Sequence, residues 1–189
     1  MEQGTGGFIN PGKVLIQLDI SPGTNLADFG CGHGYFTIPA AKITGETGRV
    51  WAVDVLPDAL EAVRARAQLE KLDNVETLRG NLEAFGGSNV SENSIDAVLM
   101  HNVLFQSQKK ADILKEAKRV LRPGGSLDII DWLPEKASFG PQEGWRLSAA
   151  EAQKLAETEG FVFIKNFDAG EYHFGLMFKK PNLSDGGQF

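Results

Sequence analysis

The chain lacks what would stiffen it covalently, hold it to a charged polymer or anchor it in a bilayer. It has one cysteine, Cys31, which rules out an internal disulfide and a multi-cysteine zinc site. Basic residues do not dominate: 19 Lys and Arg stand against 25 Asp and Glu, for a net charge of −6. That balance argues against a sequence-independent grip on nucleic acid, which needs a basic face. No apolar run approaches membrane-spanning length. Met1–Gly7 has neither a basic n-region nor an apolar h-region, so a cytoplasmic setting is the default expectation. No internal repeat is visible.

What remains is an ordinary soluble composition, 42% hydrophobic and 23% charged, over 189 residues. That length suits one domain with a sizeable core. The chain is organised around Asn25-Leu26-Ala27-Asp28-Phe29-Gly30-Cys31-Gly32-His33-Gly34-Tyr35-Phe36-Thr37. A short apolar run ends in a carboxylate, three glycines alternate, and an apolar helical pattern begins. The pattern predicts strand, tight turn and helix start. Glycines there permit positive φ and let a ligand lie against the main chain. The helix N-terminus behind them offers free N–H groups. Such a loop serves a nucleotide or nucleoside-like cofactor.

The flanking sequence predicts alternating strands and helices. Pro11 opens a short helix over 11–19, a strand follows at 25–29, and the helix behind the glycines covers 35–43. Residues 49–55 are apolar up to Asp54, as in a parallel strand buried on both faces. Pro57 opens the next helix, with Leu60, Val63 and Ala67 inward and Glu61, Arg64, Arg66 and Glu70 toward solvent. Strands at 75–78 and 95–100 flank a polar connection, 84–94. A helix over 108–121 ends at Arg122-Pro123-Gly124-Gly125, before a strand at 126–130. Ser148 and Glu151 form a capping box for a helix running to Gly160. The connection Asp168–Glu171 is too short for a parallel crossover, so strands 161–167 and 172–178 must form an antiparallel hairpin. The expectation is a Rossmann-like α/β fold, a doubly wound sheet of seven strands closed by an antiparallel hairpin, with its ligand at the carboxyl ends of the strands. The expected organisation is a helical extension over 1–21, one domain over 22–180 and a flexible tail over 181–189.

Asp28, two residues before the first glycine, would put negative charge near the phosphates of a dinucleotide; it suits a cofactor with an amino group and a sulfonium. At these residues the sequence resembles the class I S-adenosylmethionine (SAM)-dependent methyltransferases, whose first motif reads acidic-x-Gly-x-Gly-x-Gly. The antiparallel last strand and the turn Arg119-Val120-Leu121-Arg122-Pro123-Gly124-Gly125 carry the same resemblance, which covers residues 22–180. Its nearest flavour is the small-molecule branch that includes ubiquinone and menaquinone methyltransferases. The resemblance implies SAM as cofactor, S-adenosylhomocysteine (SAH) as product, and a small-molecule acceptor in preference to a protein.

The resemblance also assigns residues. Asp28, Gly30, Cys31, Gly32 and Gly34 would line the methionine half of SAM. Asp54, with Val55 beside it, would accept hydrogen bonds from the ribose hydroxyls, a geometry NAD would share. Asn81 and Leu82 would meet the adenine, with Asn where an acid is commoner. Met100 and His101 would pass beside the methionine moiety, and His101, with its ordinary pKa near neutrality, is a candidate general base. No proline follows His101-Asn102, so the Asn/Asp-Pro-Pro-aromatic pattern of adenine- and glutamine-methylating enzymes is absent. A single cysteine is too few for arsenic chemistry. Asp131 lacks the further ligands of the catechol-type metal site, so no metal is expected. Phe139, Trp145 and Arg146 are candidates for an acceptor pocket or for plain packing. A thin lid leaves the acceptor side open, which fits a large acceptor such as a protein or a small one covered by a partner subunit; a homodimer is expected. Two other readings stay open: a fold kept as a non-catalytic scaffold, and an NAD-dependent oxidoreductase.

Overall fold

A computed structural model describes residues 9–134 and 140–182. Its elements follow in chain order: α1 (Pro11–Gln17), β1 (Asn25–Phe29), α2 (Thr37–Thr44), β2 (Arg49–Asp54), α3 (Pro57–Leu69), β3 (Val75–Arg79), β4 (Ile95–His101), α4 (Lys110–Val120), β5 (Leu121–Trp132), α5 (Ala149–Thr158), β6 (Val162–Phe167) and β7 (His173–Lys179). Local chemistry sets several starts. Asn10 caps α1 by accepting from Lys13 N, with Pro11 at the first helical position. The Ser148–Glu151 capping box starts α5 as its sequence predicts.

The strands form one sheet in the order β3-β2-β1-β4-β5-β7-β6. β3 to β5 are mutually parallel. β7 lies antiparallel between β5 and β6, so the expected hairpin is present. Side-chain alternation then sorts the core. Met100, Ile129 and Phe178 face the side covered by α4 and α5. Leu99, Ile130 and Met177 face the side covered by α1 and α2, where Leu15 and Phe36 meet them. Strand order reverses between β1 and β4, which places the crevice of a doubly wound sheet at their carboxyl ends.

Two boundaries differ from expectation for physical reasons. α2 starts at Thr37, two residues late: the chain leaves the positive-φ turn only at Gly34, φ +79°, and Phe36 serves as the N-cap. β5 starts at Leu121: Leu121 pairs with Ile95 and Ser126 with Ala97, so the Arg122–Gly125 turn is a bulge inside the strand. Gly124 and Gly125 hydrogen-bond across it to Lys180. Met1–Gly7 and most of the expected tail fall outside the described residues.

Candidate cofactor site

The carboxyl ends of β1 and β4 lie side by side, Phe29 opposite Met100. Beyond β1 the chain turns sharply. Gly30 N and Cys31 N both donate to Val53 O, at 2.8 and 3.1 Å, which hangs the glycine loop on β2. Asp54 at the end of β2 completes the attachment: Oδ2 accepts from Gly32 N at 2.9 Å and Oδ1 from Leu56 N at 3.0 Å. Each carboxylate oxygen has a second lone pair, so Asp54 retains acceptor capacity.

These elements open onto a cavity of about 930 Å³. Gly30, Cys31 and Gly32 form one wall, and Asp54 and Val55 line it from β2. Asn81 and Leu82 line it from the connection after β3, and His101 from β4. The structure thus brings these eight expected residues together across four separate chain segments.

Three expected residues stand elsewhere. Asp28 is buried behind the loop, where its Oδ2 accepts from Thr37 Oγ1 at 2.6 Å. It pins the first turn of α2 and does not face the cavity. Burial, with the Asp54 charge adding, pushes its pKa up to about 6 in spite of the Thr37 bond. Met100 points into the core beside Phe29 and Ile129, because alternation along β4 turns it away from the face that carries His101. Gly34 packs against α3: a Cβ there would lie 3.1 Å from Val63 Cγ2.

His101 lines the cavity but lacks the basicity expected of it. Burial, and then the neighbouring His173, push its pKa down to about 3. Its ring centroid lies 4.8 Å from Phe36, 6.0 Å from Tyr35 and 5.9 Å from His173, and Asn102 Nδ2 stands 3.1 Å from its Nε2. It is held as a neutral ring in an aromatic row. Cys31 is buried, and burial together with Asp28 and Asp54 raises its thiol pKa, so it offers no thiolate.

The sequence did not single out four further residues here. Arg66, expected in solvent, lines the cavity and donates from Nη1 to His33 O at 2.8 Å. The signal was its place next to Ala67 on the border of the buried stripe of α3, from which a long side chain reaches the glycine loop. Tyr35 lines the cavity and donates its hydroxyl to Ile9 O. Asn102 follows β4 with φ +58° and also lines the cavity. His173 stacks on Trp132 with centroids 4.2 Å apart. Neither ring nitrogen has a hydrogen-bond partner among the described residues. Only the pairing of β5 with β7 brings it near His101, so no local sequence signal exists for it.

Asp131 is structural: it accepts from Phe105 N at 3.1 Å and Trp132 N at 2.8 Å, and so holds the short 3-10 turn Leu104–Gln106 under the cavity. No group of three His, Cys, Asp or Glu side chains among the described residues is placed to hold a metal. Trp145 is exposed, and Arg146 lies over the Trp132 ring at 5.8 Å; neither lines the cavity. Phe139 lies outside the described residues.

Comparison with known proteins agrees with this geometry. A family model described as a methyltransferase domain matches residues 20–168. The chain is 31% identical over 119 residues to a demethylmenaquinone methyltransferase of Lactococcus lactis, covering 63% of this chain and 46% of that one. It is 30% identical over 112 residues to an arsenite methyltransferase of Halobacterium salinarum, covering 59% and 28%. The chain thus spans less than half the length of these curated relatives. A solved SAM-dependent methyltransferase from Aquifex aeolicus superposes with a TM-score of 0.84 at 27% identity, covering 91% of this chain and 90% of that one. With the glycine loop, the strand-end carboxylate and the inserted antiparallel strand all in place, the chain belongs to the methyltransferase-domain family, on the class I SAM-dependent fold.

Proposed function

We propose that the chain binds SAM in the cavity between β1, β2 and β4 and transfers its methyl group to a small-molecule acceptor, releasing SAH. The methyltransferase-domain family supplies the choice of SAM over NAD, and one observation carries the nucleoside end of this reading. Asp54 is oriented by two backbone N–H groups on the cavity wall and keeps lone pairs for a vicinal diol. The other walls fit the rest of such a ligand. Gly32 has nothing within 4 Å of where a Cβ would stand, so its backbone is open to close approach. Val55 and Leu56 are half-exposed apolar residues on the rim beside Asp54, suited to the face of a purine. The names of the curated relatives, a demethylmenaquinone and an arsenite methyltransferase, support a small acceptor.

When bound, SAM supplies an electrophilic methyl group on a sulfonium. The chain's own work is then to bind, orient and exclude water, which lowers the barrier by holding reactants in line. His101 is a neutral, weakly basic ring that shapes the wall; proton removal from the acceptor is not assigned to it.

Calorimetric titration with SAH, with NADH in parallel, tests the reading. Wild type binds SAH and not NADH. Asp54→Ala loses charge-assisted hydrogen bonds and weakens SAH by at least about tenfold. Binding of NADH alone would overturn the reading. Binding of neither would favour a non-catalytic scaffold.

A further inference from the structure

We propose that Glu116, which does not line the cavity, is a positioning residue for its nucleoside side: from α4 it sets the backbone of residues 80–88 and, through that backbone, the affinity for the cofactor. This rests on the reading that Asn81 and Leu82 face the nucleoside half of the bound ligand.

The connection from β3 to β4 contains no helix or strand, so its backbone N–H groups need partners from elsewhere. Glu116 supplies them. Its side chain is fully buried. Oε2 accepts from Gly86 N at 2.7 Å, while Oε1 accepts from Ser88 N at 3.0 Å and Ser88 Oγ at 2.5 Å. Arg119, three residues on in the same helix, closes the unit with Nε to Oε2 at 2.9 Å and Nη2 to Oε1 at 2.7 Å. Its Nη2 also donates to Val90 O at 2.7 Å. Carboxylate and guanidinium therefore hold the loop at both Gly86–Ser88 and Val90.

That hold is transmitted to the cavity by backbone contact. Asn81 N donates to Gly87 O at 2.8 Å, and Gly87 N to Ala84 O at 2.9 Å. The two limbs of the loop touch without side chains between them: a Cβ on Gly87 would stand 2.2 Å from Asn81 O, and one on Gly80 2.7 Å from Gly87 O. Residues 86–88 cannot shift without moving Gly80 and Asn81, which line the cavity. A buried ion pair is weak evidence for stability, and well-packed apolar residues often replace one without loss. What apolar residues would not supply is acceptors for these loop donors. The carboxylate also keeps its charge: burial opposes ionisation, but the bonds from Arg119, Ser88 and Gly86 outweigh it and bring the pKa down to about 2.

The test uses the full chain and Glu116→Gln, which keeps the shape and removes the charge. Amide hydrogen exchange of the free protein should quicken by about tenfold or more at Asn81, Gly86 and Ser88 and stay unchanged in β1, β4 and β5. SAH and adenosine, which both carry the nucleoside, should each bind about tenfold more weakly. Ser88→Ala keeps the ion pair, removes one donor, and should produce a smaller loss of the same kind. Loop exchange and SAH affinity within twofold of wild type in Glu116→Gln would overturn the proposal. So would faster exchange spread evenly over the sheet, which would mark Glu116 as a general stabiliser. A wild type that binds no SAH fails the cofactor reading and overturns the affinity role with it, while loop exchange in the free protein separately decides whether Glu116 sets the backbone of residues 80–88.

Discussion

Gly30, Gly32 and Gly34 share one motif and one backbone hand, with φ of +73°, +49° and +79°, yet each has a different neighbour. A Cβ on Gly30 would stand 2.6 Å from Val103 Cγ2, so that glycine lets β1 pass close under the turn after β4. Gly34 makes the same kind of approach to α3, and Gly32 alone is open. The consequence is a split between stability and binding. Gly34→Ala combines left-handed strain with crowding and should lose about 1–3 kcal/mol of stability. Gly32→Ala suffers only the strain, about 1 kcal/mol, but pushes a methyl group toward the ligand and should abolish tight SAH binding. Thermal melts beside SAH titrations separate the two. His101 carries a second prediction at this scale. Its folded pKa lies below its unfolded value of 6.5, so its contribution to stability is present above pH 6.5 and is lost as pH falls toward about 3. Turnover, once an acceptor is known, should show no break near pH 6.5 from this ring. Replacement by Phe should cost less than the roughly 10²-fold that marks a general base. The motif spacing made the glycines and Asp54 legible in the sequence. The depressed basicity of His101 was not, because it comes from Phe36 and His173, which only tertiary structure brings to it.

At the level of elements, most of the pattern was readable because each strand and helix carries its own signal: alternation, a capping box, a proline at a helix start. The misplaced features are those in which one element overrides another. Arg66, still partly exposed, reaches the glycine loop, and the Arg122–Gly125 turn is absorbed into β5 because Leu121 already pairs with β4. The β6–β7 hairpin shows the same cooperation. Gly175 on β7 pairs with both Phe167 and Ile130, and the Phe167 ring occupies the space beside it; a Cβ there would stand 2.4 Å from Phe167 Cε2. Gly175→Ala must push that buried ring off the strand and should cost about 1–3 kcal/mol. Gly175→Ala combined with Phe167→Leu should recover part of the loss if the clash is the cause. Denaturant unfolding of the single and double variants measures this. A double variant no better than Gly175→Ala would reject the clash.

Across the whole molecule the sheet divides the work. Four parallel strands, β3-β2-β1-β4, carry the glycine loop, Asp54, the Asn81–Leu82 wall and His101, while β5 and β7 extend the aromatic row from His101 to His173 and Trp132. The cofactor half was legible because its residues sit at strand ends in sequence order. The other half was not, since the sequence required a hairpin but did not say that β7, not β6, would lie against β5. That insertion bears on how the protein is made. Among the described residues β7 is the last strand in chain order, yet it occupies an interior position, paired on both sides. While a nascent chain is still being synthesised, β5 therefore exposes an unpaired apolar edge, and β6 has no neighbour to join. The sheet gains its last two strands only after residue 179 has left the ribosome, so co-translational folding passes through a five-stranded sheet with an open β5 edge, the stage at which chaperone capture or edge-to-edge aggregation competes with completion.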